Sequence, residues 1–456
     1  MRFQPRAAEP SPRRGRSLGL ACLLPFATCA QENWPQFRGE GSRGVGESAR
    51  LPMTWDRETN VAWRTPVDGR GWSSPVVWGN RIFLTTAVSE GPVEAAKKGL
   101  YFGGDRPEPP PHTHHWQVVC LDWNTGHVRW MREVAATRPS TPVHVKNTYA
   151  SETPATDGEH VYALFGFLGL FCLDNAGEIV WSQPLTPRTM AHGWGTAASP
   201  VLHGDQVFVV SDSEEASFVA AYEKRTGREV WRVERDEASN WSTPFVWSHM
   251  LRTELVTAGR DRVRSYSLAG EVLWELPGLS VITIPTPFAA DGLLYVGAGY
   301  VGDNRNPNKP VYAIKPGGSG NLVPADPDAP APFIAWMAAN AAPYNPSPLV
   351  YQGRFYVLWD FGFLSCRDAA TGREIYDKQR IKPDGAAGFT ASPWAANEHV
   401  FCLSEDGDTY VFGAGDDFRR VRVNPLGEMC MATPALARDS LIIRTLEAVY
   451  RIRETP

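Results

Sequence analysis

The chain has 456 residues, 43% of them hydrophobic, with 45 basic against 50 acidic side chains and a formal charge of −5. That balance gives no electrostatic basis for nucleic-acid binding, and beyond residue 30 no segment has the length and apolarity of a membrane span. Seventeen Trp, 41 Gly and 38 Pro, with few long helix-forming stretches, point instead to short strands and many turns.

The first 30 residues read as a secretory signal peptide. Arg13, Arg14 and Arg16 precede the apolar LGLACLLPFAT (18–28), and the small Ala30 marks a cut before Gln31. Export to the periplasm or cell envelope follows. The imperfect lipobox FATC (26–29) leaves lipid anchoring through Cys29 open. Residues 31–57 are then an N-terminal extension, and 58–456 a single repeat domain.

Eight Ser/Thr-Pro pairs punctuate that domain: Ser74-Pro75, Thr153-Pro154, Ser199-Pro200, Thr243-Pro244, Thr286-Pro287, Ser347-Pro348, Ser392-Pro393 and Thr433-Pro434. Most spacings fall in the forties, the period of propeller blades built from four strands each. Proline suits the start of a strand because no interior ladder donor is lost there. An apolar run follows each pair as a second strand, from RIFLTT (81–86) through VFVVS (207–211) to SLIIRT (440–445).

The third and fourth strands are joined by a turn of fixed spacing. Cys120-Leu121-Asp122 leads through Thr125-Gly126 to Trp130, and Ala221-Tyr222-Glu223 leads through Thr226-Gly227 to Trp231. Gly177 precedes Trp181, Gly270 precedes Trp274 and Gly372 precedes Tyr376 by the same four residues. Glycine supplies the positive φ of a tight turn, and the aromatic then has a constant height on the last strand, where it can wedge between sheets. Cys120, Cys172 and Cys366 share one place in three different units and are expected as buried free thiols rather than a bridge framework.

The eighth unit supplies only three strands, 432–436, 440–445 and 448–453, while NVAWR (60–64) looks like a fourth strand placed before the first unit. The expected fold is therefore all-β: an eight-bladed β-propeller of four-stranded antiparallel blades, its ring closed when residues 58–67 complete the last blade. The segment GGSGNLVPADPDAPAP (316–331) reads as a flexible loop between the third and fourth strands of the fifth unit.

The turns CLDWNTGHVRW and AYEKRTGREVW resemble the repeats of quinoprotein (PQQ-like) eight-bladed propellers, a family that includes PQQ-dependent alcohol dehydrogenases and the non-catalytic assembly factor BamB. NWPQFRG (33–39), KNTYASETPATDGEHVYALFG (146–166) and SEDGDTYVFGAG (404–415) look more specifically like the exported bacterial PQQ-binding-like propeller repeat proteins. The enzymatic branch of that resemblance implies PQQ beside Ca²⁺, held by a Glu, an Asn and an Asp, with a further Asp as base and often a disulfide of adjacent cysteines over the ring. This sequence has no adjacent cysteines and no CxxCH haem site.

In an up-and-down blade the longest connections, 87–115, 135–151, 183–197 and 300–310, emerge on one face, where a site is expected. The residues that precede the inner strands there are Trp72, Glu152, His192, Trp194, Trp241, Met429 and Met431. The ends of the second strands add Asp212, Arg260, Asp360 and Glu405. Such an acidic and aromatic ring suits a cation, a planar cofactor or a peptide; the alternative is that these residues cap and pack the loops. His112, His114 and His115 lie in the Pro-rich PEPPPHTHH, with His114 and His115 facing opposite ways, and read as solvated loop rather than a metal site.

No GxSxG, HExxH or GxxxxGK signature is present. No cofactor is assigned from the residues, PQQ and Ca²⁺ being those the resemblance implies for an enzyme. The reading is a non-catalytic binding scaffold of the cell envelope, expected as a monomer. Its partner is an envelope protein, or a small-molecule or carbohydrate ligand on the long-loop face, the latter through Trp72, Trp194 and Trp241. A PQQ- and Ca²⁺-dependent dehydrogenase of alcohols or sugars is the alternative.

Overall fold

The computed structural model describes residues 1, 4, 32–46, 51–99, 104–106, 108–304, 308–323, 331–382 and 387–454. Apart from residues 1 and 4, the segment 1–30 read as a signal peptide, Cys29 included, lies outside these residues. An inner strand begins directly after each of the eight prolines, at Val76, Ala155, Val201, Phe245, Phe288, Leu349, Trp394 and Ala435. Each starts an antiparallel meander of four strands, giving eight blades numbered here from the one that begins at Val76. Among the described residues the helical pieces are the short 3-10 turns Glu40–Ser42 and Ala191–Gly193, and no helix is long and apolar enough to cross a membrane.

The ring closes as the sequence predicts. Val61–Pro66 pairs antiparallel with Ala448–Arg453, from Val61 opposite Ile452 to Pro66 opposite Ala448, and so forms the outer strand of blade 8. Alternate residues of the inner strands point into the spaces between blades, where clusters of aliphatic and aromatic side chains are fully buried.

The repeated glycine and tryptophan act between blades rather than within one. Trp63 donates from Nε1 to the carbonyl of Trp123 in blade 1 at 2.9 Å, and Trp130 to Asn175 in blade 2 at 3.0 Å. Trp181, Trp231 and Trp336 do the same to Lys224, Leu268 and Ala369, each at 2.8 Å. The five rings lie against the turn glycines of the following blades, Gly126, Gly177, Gly227, Gly270 and Gly372, all at positive φ. A Cβ on Gly227 would stand 2.5 Å from Trp181, so the turn needs glycine twice, for its backbone and for the space the ring fills. Opposite the wedge on the neighbouring strand sits a small residue: Cys120 faces Trp130, Cys172 faces Trp181, and Ala221 faces Trp231. The three cysteines are buried free thiols, as are Cys402 and Cys430.

Blade 5 breaks the pattern, and the loop expected to be flexible explains why. Gly320–Asn321 runs parallel to Trp274–Glu275 on the outer edge of blade 4, and Leu322 is buried against that blade. With no standard turn to receive it, Trp274 turns inward and donates to Glu254 Oε2 at 2.6 Å.

Residues 33–46 cross the face that carries the turns between first and second strands. Trp34 makes a two-bond bridge with Val77 of blade 1, Pro35 accepts from Thr156 of blade 2, and Gly44 and Gly46 bracket Ala395 of blade 7. The inner strands have free edges toward the axis, and this segment satisfies three of them. Arg38 is fully buried beneath the axis, over the Phe288 ring and bonded to the carbonyl of Pro348 at 2.6 Å.

Gly227→Ala is expected to cost about 2–4 kcal/mol, against about 1 kcal/mol for Gly292→Ala, because both have positive φ but only Gly227 carries a neighbour's ring. Equal shifts in urea midpoint would contradict the inter-blade wedge. Deleting residues 31–67 is expected to lower the melting temperature of the whole ring in one transition, and an unchanged temperature would disprove the closing role.

Candidate functional site

At the axis the eight Ser/Thr residues before the prolines converge and ring a cavity of about 210 Å³. In six blade-to-blade steps a backbone N–H of one of these residues donates to the hydroxyl oxygen of the next, as from Ser74 to Thr153 and from Ser347 to Ser392, both at 2.9 Å. The hydroxyl is therefore as structural as the proline beside it, since it occupies an inner-strand N–H that would otherwise face the axis unpaired.

Phe37 floors the cavity from the N-terminal segment. On the long-loop side Trp72, Trp194, Trp241, Tyr344 and Met431 wall it, together with His144 and Lys146. The Trp194 and Trp241 rings are 6.1 Å apart and tilted, with Trp241 Nε1 bonded to the carbonyl of Gly195 at 2.5 Å and Trp194 Nε1 to that of Gly104 at 3.2 Å. The two longest insertions form a strap across the mouth. Lys146 Nζ bonds Glu405 Oε1 in blade 7 and the Gly99 carbonyl, both at 2.7 Å, and Gly99 N–H reaches Glu405 Oε2 at 2.6 Å.

The aromatic candidates Trp72, Trp194 and Trp241 come together here, and the carboxylates do not join them. Glu152 is buried beside blade 2, its Oε1 accepting from Gly166 N–H at 3.1 Å and Thr196 hydroxyl at 2.5 Å; burial pushes its carboxyl up. Asp212 forms a two-point ion pair with Arg235 at 3.0 and 3.1 Å and also accepts from Asn240. Asp360 accepts the N–H groups of Tyr344 and Asn345, each at 3.0 Å; burial, opposed by those bonds, leaves its carboxyl pushed up to about 6. Glu405 anchors the strap. Each carboxylate thus caps a loop.

His192 and Arg260 lie outside the chamber, on a second groove of about 650 Å³ with Asp105, Arg106 and Glu214. His192 Nδ1 pairs with Asp105 at 2.7 Å. Met429 packs on Trp72. Of the histidine cluster, His114 is buried against Trp116 and Tyr149, while His115 points the other way between Glu133 and Glu90 at 2.8 and 3.1 Å, which raise its pKa.

Sequence reasoning assigned the proline of each pair and missed the hydroxyl; a hydroxyl at all eight positions was the available signal. Lys146 was missed because its partner lies 259 residues away.

The chamber can also be tested against the PQQ–calcium set. Among the described residues no three His, Cys, Asp or Glu side chains sit close enough to share a metal ion, and none of the cavity's lining residues is acidic. These residues do not assemble a carboxylate cage for Ca²⁺.

Wedge-locked blades around an axial chamber define an eight-bladed β-propeller. The family model described as outer membrane protein assembly factor BamB matches residues 169–318, the stretch from blade 2 into blade 5. BamB from Moraxella catarrhalis superposes with a TM-score of 0.51 at 12% identity, covering 81% of this chain and 99% of its own. Quinohemoprotein alcohol dehydrogenase from Comamonas testosteroni gives 0.59 at 11% identity, covering 93% and 81%. The computationally designed Ika8 protein gives 0.51 at 10% identity, covering 90% and 99%. At such identities the likeness is one of fold. The curated proteins give no match.

Lys146→Met is expected to cost about 2–4 kcal/mol, because it leaves the Glu405 carboxylate buried without its cation. Hydrogen exchange should rise at residues 96–99 and 144–148 before the blades respond. Exchange unchanged at those residues would contradict the strap.

Proposed function

We propose that the protein is an exported, non-catalytic binding scaffold of the cell envelope, presenting its long-loop face to a partner. The observation that carries this reading is the fate of the carboxylates: Asp212, Asp360 and Glu405 are buried with both oxygens bonded within the protein's own loops, and Glu152, whose Oε1 is bonded and whose buried Oε2 has no partner among the described residues, does not line the chamber. Catalytic carboxylates need a free oxygen within reach of the reacting atom. The BamB match over residues 169–318 supports a role in protein interaction. The connections at 87–115, 135–151 and 183–197 are among the longest in the chain, and recognition on a repeat scaffold concentrates in such connections.

Two measurements test the reading. Incubated with PQQ and Ca²⁺, the mature protein is expected to give no dye-linked oxidation on a panel of alcohols and sugars; reproducible turnover, lost in Asp360→Ala or Glu152→Ala, would establish the dehydrogenase instead. Cell fractionation should place the protein in the envelope with a mature N-terminus at Gln31, or at an acylated Cys29 if the lipobox is used. Recovery of the uncleaved chain in the cytoplasm would refute export.

A further inference from the structure

The hydrogen-bonding capacity of the axial chamber is one-sided. The ring hydroxyls receive backbone N–H groups in six of the eight steps, yet among the described residues no protein acceptor takes the protons of those eight hydroxyls. Trp72, 8% exposed and lining the same cavity, carries a buried Nε1–H with no acceptor among the described residues. The lining includes Lys146 and His144 and no Asp or Glu.

The charges just behind the ring have the same sign. Arg38 bonds the carbonyl of Pro348, next to the ring residue Ser347, and its Nε and Nη1 find no acceptor among the described residues. Arg444 bonds the Ser73 carbonyl at 3.1 Å and its hydroxyl at 2.6 Å, between Trp72 and the ring residue Ser74. Neither arginine has a carboxylate partner among the described residues, and burial pushes both guanidinium groups down to about 9. A buried cation without a counter-charge is costly, and a nearby anion lowers that cost.

We infer that the axial chamber is a binding site for a small organic carboxylate, its oxygens accepting from the ring hydroxyls and Trp72 Nε1–H and its body resting between Trp194, Trp241 and Tyr344. A cation would meet no carboxylate there. A neutral sugar brings as many donors as acceptors into a chamber that offers chiefly donors. The mostly aromatic upper wall and the volume of about 210 Å³ suit a single small ring above the charged end.

The test is isothermal titration calorimetry on the mature chain with benzoate, its neutral counterpart benzamide, glucose and inorganic phosphate. Benzoate is expected to bind saturably and at least tenfold tighter than the other three. Ser74→Ala and Thr286→Val remove the two ring hydroxyls that accept none of the six N–H groups, so the fold is preserved, and each is expected to weaken benzoate by about 3–10-fold. Trp72→Phe keeps the ring and removes the donor, with a loss of about tenfold. Unchanged melting temperatures of the ligand-free variants assign these losses to the site. Benzamide or glucose binding as tightly as benzoate, phosphate binding more tightly, no benzoate heat at millimolar concentration, or variants with unchanged affinity would each overturn the proposal.

Discussion

A tryptophan lying on a neighbour's glycine is the contact on which the rest of this molecule depends. Each wedge joins two blades by burying a large ring and donating an indole N–H to a turn carbonyl, so the turn of one blade is finished by the strand of another. Five of the eight junctions between blades are made this way, so the turns of blades 1, 2, 3, 4 and 6 are finished by a neighbour, and the chain ends must meet, because Trp63 on the first strand is the wedge for blade 1. Nearest-neighbour coupling of this kind makes an array cooperative, and closing it into a ring leaves no terminal unit to fray.

The fold was legible because its determinants recur locally. Ser/Thr-Pro starts, apolar second strands and the glycine-to-aromatic interval all lie within a blade, and eight copies fix the register even where one copy is degenerate. The direction of the wedge was not legible, since a spacing inside one repeat cannot say whether the ring serves its own turn or the next. Trp274 shows the limit: its sequence context is standard, but its conformation is decided by what blade 5 lacks. The loop at 316–331 looked flexible by composition, and the pairing of its residues 320 and 321 with blade 4 is a tertiary contact that composition does not encode.

For the site, position was readable and role was not. Loop length singled out one end of the propeller, and the three tryptophans line the cavity there. Whether Glu152, Asp212, Asp360 or Glu405 faced the axis depended on which N–H groups and cations the folded loops left for them, and those partners come from distant segments. A buried carboxylate pointing away from a cavity and one lining it have the same sequence signature. Only the second can meet a ligand.

The axis itself is a physical problem that this chain solves on both faces. Eight inner strands surround a hole with their outermost N–H and C=O groups turned toward it, and in an open channel water would satisfy them. Here residues 33–46 cover one end and the Lys146 strap the other, while the ring of hydroxyls takes up six of the inner N–H groups. Covering both ends also lowers the local dielectric, so the hydroxyl protons, the Trp72 N–H and the buried arginines act with more force than on the surface. The same closure that satisfies the inner strands therefore makes the chamber selective for whatever can accept hydrogen bonds and carry negative charge.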